Sequence, residues 1–268
     1  MIHMKFSYMD VMYGLIGGIG FLTTLPAGKK DRLAYLLQHT YLFSIVGILI
    51  GLIIGLSAVC LMLLLPGLPG LSAVLVVIII YFLCGLNHLD ALSDFGDGII
   101  AHGSRDKKIN AMKDSALGVG GVFFIVLYIL LLFINIRILA ASQTYLYLGA
   151  AMLIAEVSAK QSMITIAWLG KPIHQGMGSF IVDNTFSKDF LLSFIVCMSI
   201  SIIGLGIPGL VALILANISS WIILGISKRH FGGINGDCIG TCNEMGRLIA
   251  LISLVIIFNK GLVIWMPW

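Results

Sequence analysis

Charge is what this sequence has least of. Aspartate, glutamate, lysine and arginine together make up 10% of its 268 residues, against about a quarter in soluble domains. Hydrophobic side chains reach 59% and mean hydropathy +1.08, which excludes a water-soluble globule. Behind Met1-Ile-His-Met-Lys-Phe there is no compact apolar core with a small-residue cleavage site, so a removable secretory signal is not expected. Repeats, low-complexity tracts and any sign of a second domain are also missing, and residues 1–268 read as one membrane-embedded domain. Cys60, Cys84 and Cys197 fall inside apolar runs, where a thiol behaves as a small hydrophobe. Cys238 and Cys242 share a C-x3-C spacing and read as ordinary thiols or as a metal or redox pair; the second pair or histidines in register that zinc usually brings are lacking. The net charge of +4 gives no basis for nucleic-acid binding.

What is present is apolar sequence in long runs, near 9–27, 41–65, 69–86, 119–140, 145–169, 190–205, 208–226 and 247–265. A spanning helix needs about 20 such residues, so an all-α, polytopic membrane protein with seven or eight transmembrane helices is expected. The first run is interrupted by Asp10 and several glycines, and the sixth and seventh are parted only by Gly204-Leu-Gly-Ile-Pro208, so these segments read as spans or as re-entrant stretches. Polar loops at 28–40, 87–118, 170–189 and 227–246 alternate with nearly charge-free turns at 66–68, 141–144 and 206–207. Twelve of the sixteen basic residues belong to the polar loops or their edges: Lys29, Lys30, Arg32, Arg105, Lys107, Lys108, Lys113, Lys171, Lys188, Lys228, Arg229 and Arg247. The positive-inside rule places all four loops in the cytoplasm, and with them the polar chemistry of the chain.

The first such loop to carry chemistry is Gly85-Leu-Asn-His-Leu-Asp-Ala-Leu-Ser-Asp-Phe-Gly-Asp-Gly98. On a helix, Asp90, Asp94 and Asp97 fall within about 60° of one another, with Asn87 beside them and His88 on the opposite side. Three like charges at a membrane boundary repel and resist desolvation, so the stripe calls for a cation. Oxygen ligands favour Mg²⁺, which is commonly held by carboxylates together with substrate phosphates. The competing reading is a solvated loop whose aspartates cap turns.

Arg105, Lys107, Lys108 and Lys113 follow the stripe, and Gly118-Val-Gly-Gly121 opens the next apolar run. Cations neutralise phosphate oxygens, and glycines at a helix start let backbone N–H groups approach an anion. Lys113, next to Asp114 and close to the glycines, is the stronger phosphate candidate; the other cations read equally well as topology determinants. Lys228-Arg-His-Phe-Gly-Gly-Ile-Asn-Gly-Asp-Cys-Ile-Gly240 repeats the recipe, so that Gly232, Gly233, Asn235 and Asp237 form either a backbone nest for phosphate or ribose or a tight interhelical turn. Glu156 and Lys160 stand four apart inside an apolar run, where they pair with each other, line a site, or do both.

The segment 85–98, followed by Met112-Lys-Asp-Ser-Ala-Leu-Gly118, resembles the cobalamin-5′-phosphate synthase family, the adenosylcobinamide-GDP ribazoletransferases. Phe21-Leu-Thr-Thr-Leu-Pro26 is similar to the family's N-terminal signature, and Gly232-Gly-Ile-Asn-Gly-Asp237 with Gly240 to its C-terminal one. Two positions depart: Ala116 and Lys160 stand where the family usually has arginine. The resemblance implies an enzyme of vitamin B12 nucleotide-loop assembly. Its substrates would be adenosylcobinamide-GDP and α-ribazole or α-ribazole 5′-phosphate, and its products adenosylcobalamin or its 5′-phosphate plus GMP. The implied setting is the prokaryotic cell membrane, among lipid, with the active site facing the cytoplasm; a homo-oligomer is compatible with this. Asp90, Asp94 and Asp97 would hold Mg²⁺ on the diphosphate, one of them or His88 would take the proton of the attacking ribose hydroxyl, and Lys113 and Arg105 would steady GMP. Asn87, Asp114, Gly118 and Lys160 complete the expected substrate contacts.

Two other readings compete. Asp94-x2-Asp97-Gly98-x2-Ala101 reproduces half of a CDP-alcohol phosphotransferase signature, but His102 stands where arginine is expected and the second half is missing. A transporter would also use clustered acids and broken helices, though its site belongs near the bilayer midplane, whereas these polar residues gather at one face.

Overall fold

The computed structural model describes residues 8–27, 32–142 and 144–262. Residues 28–31, which include Lys29 and Lys30, Gln143 and the ends at 1–7 and 263–268 lie outside them. Among the described residues the chain is helical apart from short connections and one isolated bridge between Pro172 and Ile234.

The central element is α8, Tyr145–Leu169. From Ile154 to Ala167 every residue on it is buried, which is the signature of a helix packed on all sides. It is enclosed by α3 (Leu42–Leu64), α10 (Ser187–Phe231) and α11 (Gly236–Asn259). Small residues allow the approach. A Cβ on Gly51 would meet the Leu153 backbone at 2.8 Å, and one on Gly55 the Gly149 carbonyl at 2.5 Å; without a hydrophobic drive between helices in lipid, such close contact is what binds them. α10 covers 45 residues but consists of two helical stretches joined at a break, where Leu205 and Gly206 (φ +62°) leave the helical conformation just before Pro208, the break that the Gly204–Pro208 stretch led one to expect.

Around this core stand α1 (Tyr8–Leu22), α2 (Leu33–Gln38), α4 (Pro69–Cys84), α5 (Asn87–Ile100), α6 (Arg105–Lys113), α7 (Val119–Ala141) and α9 (Met177–Asp183). Four helices, α3, α7, α10 and α11, are long and apolar enough to cross a membrane, or five spans if the bent pair α4–α5 makes one. The expected seven or eight are not reached by this measure: α1 has only 15 residues, the two runs on either side of the break at Leu205 and Gly206 are taken together as α10, and α8 carries Glu156, Lys160 and Gln161 at its middle. The polar loops shrink as well. Residues 87–118 are largely the helices α5 and α6, and the last loop is reduced to 232–235.

Arg247 is not a loop cation. It is fully buried on α11, where its Nε donates to Glu156 Oε1 at 2.5 Å and its Nη2 to Glu156 Oε2 at 3.2 Å. Its Nη1 donates to Glu244 Oε2 at 2.5 Å and to the Tyr128 hydroxyl at 3.2 Å. Tyr81 adds a donor to Glu244 Oε2 at 2.9 Å. Lys160, also fully buried, lies 3.7 Å from Glu156 and donates to Asn243 Oδ1 at 2.6 Å. Two cations and two anions thus balance inside the bundle, tying α4, α7, α8 and α11 together. Removing one member leaves an unpaired buried charge, at a cost of about 3–5 kcal/mol. Arg247→Met is therefore expected to lower the thermal unfolding midpoint in detergent sharply, and adding Glu244→Gln, which restores neutrality, to recover most of the loss.

Candidate active site

The chain leaves α4 through Gly85, at a φ of +71° that side chains rarely adopt, and α5 departs at 96° to α4. Thr24 pins this elbow: its N–H donates to the Leu83 carbonyl at 2.8 Å and its hydroxyl to the Phe82 carbonyl at 2.7 Å. The Phe21–Pro26 stretch thus acts by holding the start of the acidic helix. The fourteen residues of α5 rise about 21 Å, short of the ~30 Å hydrocarbon layer, so α5 does not span on its own. Ala91, Leu92 and Phe95 bury one face.

Asp90 and Asp94 emerge on the other face into a cavity of about 470 Å³. Lys113, Asp114, Ser115 and Ala116 line it from the segment that ends α6, and Asp237 from the first turn of α11. Burial first, and then the charges of Asp90, Asp237 and Asp97, push the Asp94 carboxyl up to about 7. Such a shift marks a carboxylate cluster with too little positive charge beside it. Asp237 is held in place by Asn235, whose Nδ2 donates to its Oδ2 at 2.7 Å while its Oδ1 caps α11 by accepting the Cys238 N–H at 3.1 Å. Asp114 Oδ1 accepts the Ala116 N–H at 3.0 Å, shaping the turn that lines the cavity.

Several expected site residues are committed elsewhere. Asp97 accepts the Gly118 N–H at 2.9 Å and the Gly121 N–H at 2.8 Å, satisfying two orphan donors at the start of α7. Gly118 is thereby spoken for, and the cluster that reads as a phosphate nest is the room into which Asp97 and α5 pack: a Cβ on Gly120 would meet the Gly96 carbonyl at 2.8 Å. Lys160 belongs to the buried ion network and meets no cavity that a phosphate enters. Gly232, at φ +86°, closes α10 by donating to the Ser227 and Lys228 carbonyls, both at 3.2 Å. Gly233 lets residues 171–173 approach, since a Cβ there would meet the Lys171 carbonyl at 2.6 Å. Both glycines therefore serve the tight-turn reading. Arg105 is exposed and lies over Gly232, apart from the acidic cavity. His88 and Asn87 line a second, smaller cavity. Burial pushes the His88 imidazole down to about 3, so it is a poor proton acceptor.

The donors facing the acidic cavity are all oxygen, a set suited to Mg²⁺. Among the described residues no three His, Cys, Asp or Glu side chains converge tightly enough to cage a metal unaided, so the trio Asp90, Asp94 and Asp97 is not a preformed cage. Mg²⁺ needs none, because one or two carboxylates with substrate phosphates and water hold it. Asp90 and Asp94, with Asp237 on the facing helix, fit that mode; Asp97, turned to α7, does not. What sequence reasoning missed is the Tyr81–Tyr128–Glu244–Arg247 set. The signal was present in Glu244 and Arg247, three apart in a stretch that becomes apolar.

Fold and site together define a polytopic helical membrane protein with an acidic cavity between helix ends. Residues 14–255 match the family model of cobalamin-5-phosphate synthase, and the chain belongs to that family. It is 42% identical to an adenosylcobinamide-GDP ribazoletransferase of Methanococcoides burtonii, over 92% of this chain and 95% of that one. Identity to proteins of the same name is 40% for Methanosarcina mazei, covering 91% and 92% of the two chains, and 41% for Methanocella arvoryzae, covering 96% and 98%. No solved structure matches.

The division between Asp94 and Asp97 is testable by stability. Asp97→Ala, which uncaps α7, is expected to cost about 1–2 kcal/mol and to lower the unfolding midpoint, whereas Asp94→Asn, which relieves repulsion, leaves it unchanged or raises it.

Proposed function

We propose that the chain is an adenosylcobinamide-GDP ribazoletransferase, joining the adenosylcobinamide-phosphate moiety of adenosylcobinamide-GDP to α-ribazole or its 5′-phosphate with release of GMP. The observation that carries this reading is the meeting of Asp90, Asp94 and Asp237 in one cavity, within a chain matched to its family from residue 14 to residue 255. A ribose hydroxyl of the acceptor attacks the cobinamide-side phosphorus. A P–O bond forms there while the bond to the bridging oxygen breaks, GMP departs with that oxygen, and the hydroxyl proton passes to a carboxylate of the cavity.

The work asked of the protein is alignment and charge neutralisation. Asp90 and Asp94 would hold Mg²⁺, with Asp237 opposite, and the ion when bound neutralises the diphosphate. Lys113, on the rim of the same cavity, meets phosphate oxygens of the donor. Asp114 and Ala116 shape that rim, and Ala116, lacking the arginine usual there, leaves Lys113 as its cation. The polar residues face the cytoplasm of a prokaryotic cell, as the loop cations favour, and the apolar helices lie in its membrane.

The test is GMP release by the purified protein from adenosylcobinamide-GDP and α-ribazole. Activity is expected to vanish in EDTA and return with Mg²⁺. Asp94→Asn and Asp237→Asn are each expected to lower kcat by about 100-fold or more. Full activity in EDTA, or in Asp94→Asn, would overturn the metal assignment, and no GMP release from the parent protein would overturn the function.

A further inference from the structure

The second cavity, about 160 Å³, lies where α5, α9 and α11 meet. Asp237 lines both it and the larger acidic cavity, so a ligand with its reacting group in one has room for a second group in the other. The character of the two differs. The smaller is walled by Phe21, Met163, Met177, Ile181 and Ile239: one aromatic ring, two thioethers that suit the edge or face of an aromatic ligand, and two aliphatic side chains. Its polar side chains are Asn87, His88 and Asp237, and His88 has an Nδ1 that is buried without a hydrogen-bond partner. An orphaned buried polar atom costs about 1–3 kcal/mol, and its presence beside a cavity points to a partner that arrives with a ligand.

We infer that this cavity is the subsite for the base of the acceptor, a flat, mostly apolar benzimidazole ring whose free ring nitrogen pairs with the His88 imidazole. The inference rests on the transferase reading and adds to it the location of one substrate. Size and polarity select among the parts of the two substrates. A corrin ring is far too large for 160 Å³. Guanine needs its whole polar edge paired, whereas the polar side chains here stand against five apolar ones, and Asp237 is already engaged by Asn235. A benzimidazole needs a flat apolar slot and one hydrogen bond. The shared Asp237 wall then brings the attached ribose to the edge of the acidic cavity, where its hydroxyl attacks. Phe21 lies three residues before Thr24, which pins the elbow of α4 and α5, so one segment shapes both cavities.

Two variants test this in the intact protein. The backbone of Gly236 has an ordinary φ, and a Cβ there would meet nothing nearer than the Gly178 N at 4.0 Å, so Gly236→Val narrows the cavity without a backbone clash. His88→Phe removes the ring nitrogens and keeps the ring. Gly236→Val is expected to raise KM for α-ribazole about tenfold or more, leaving KM for adenosylcobinamide-GDP within twofold. His88→Phe is expected to raise KM for α-ribazole by about tenfold, the worth of one hydrogen bond. It should change KM little for the indole riboside, which lacks the free ring nitrogen; a merely structural histidine would affect both acceptors alike. Equilibrium binding of α-ribazole to the protein without donor should weaken in the same order. Unchanged acceptor KM in both variants, equal effects on the two acceptors, or a rise confined to adenosylcobinamide-GDP, which would mark a guanine site, overturns the subsite while the transferase stands. No GMP release from the parent protein overturns the transferase itself.

Discussion

The bundle is arranged around a guanidinium that is fully buried. Arg247 sits at the centre of the bundle with carboxylates of Glu156 and Glu244 on two sides and the Tyr128 hydroxyl on a third. Its planar fork meets Glu156 through two nitrogens at once, which a lysine cannot do. In lipid the apolar side chains give helices no preference for each other over the bilayer. The ion cluster supplies the preference, because α8 and α11 cannot part without exposing charge. Those two helices also fix the site: α11 begins with Asp237, and Met163 of α8 lines the cavity beside it.

The glycines have the complementary task. Along α3, Gly47, Gly51 and Gly55 recur every four residues and bring the helix against Lys160, Leu153 and Gly149 of α8. The buried lysine is thus packed by its stem as well as paired by its head. Lys160 supplies the second positive charge of the cluster, and its hydrogen bond to Asn243 beside Glu156 is a geometry that an ammonium can satisfy.

Much of the fold was legible. Hydropathy located the helices α3, α4, α7 and α8 to within a few residues, and the glycine–proline interruption located the break in α10. The number of spans was less so, since a polar central helix such as α8 is not distinguished by apolar runs from one that faces lipid. At the site, the i, i+4, i+7 spacing correctly placed Asp90 and Asp94 on one face of a helix. It failed for Asp97 because periodicity says which way a side chain faces and nothing of what it meets. The two N–H groups of α7 reach Asp97, and the carboxylate that joins Asp94 instead comes from Asp237, 143 positions further along the chain. The glycines at 118–121 and 232–233 misled for one reason: an anion and a close-packed neighbour both require the absence of a side chain.

The pairing of Asp97 with the start of α7 also constrains how this chain can change. Its carboxylate occupies the space that a Cβ on Gly118 or Gly121 would fill, and it accepts the N–H groups of both. A substitution at either glycine expels the aspartate, and a substitution of the aspartate removes what holds Gly118 small, while Gly121 stays confined by Ser93 as well. Asp97 and a pair of glycines more than twenty residues further along therefore form one heritable unit, in which none of the three can change alone.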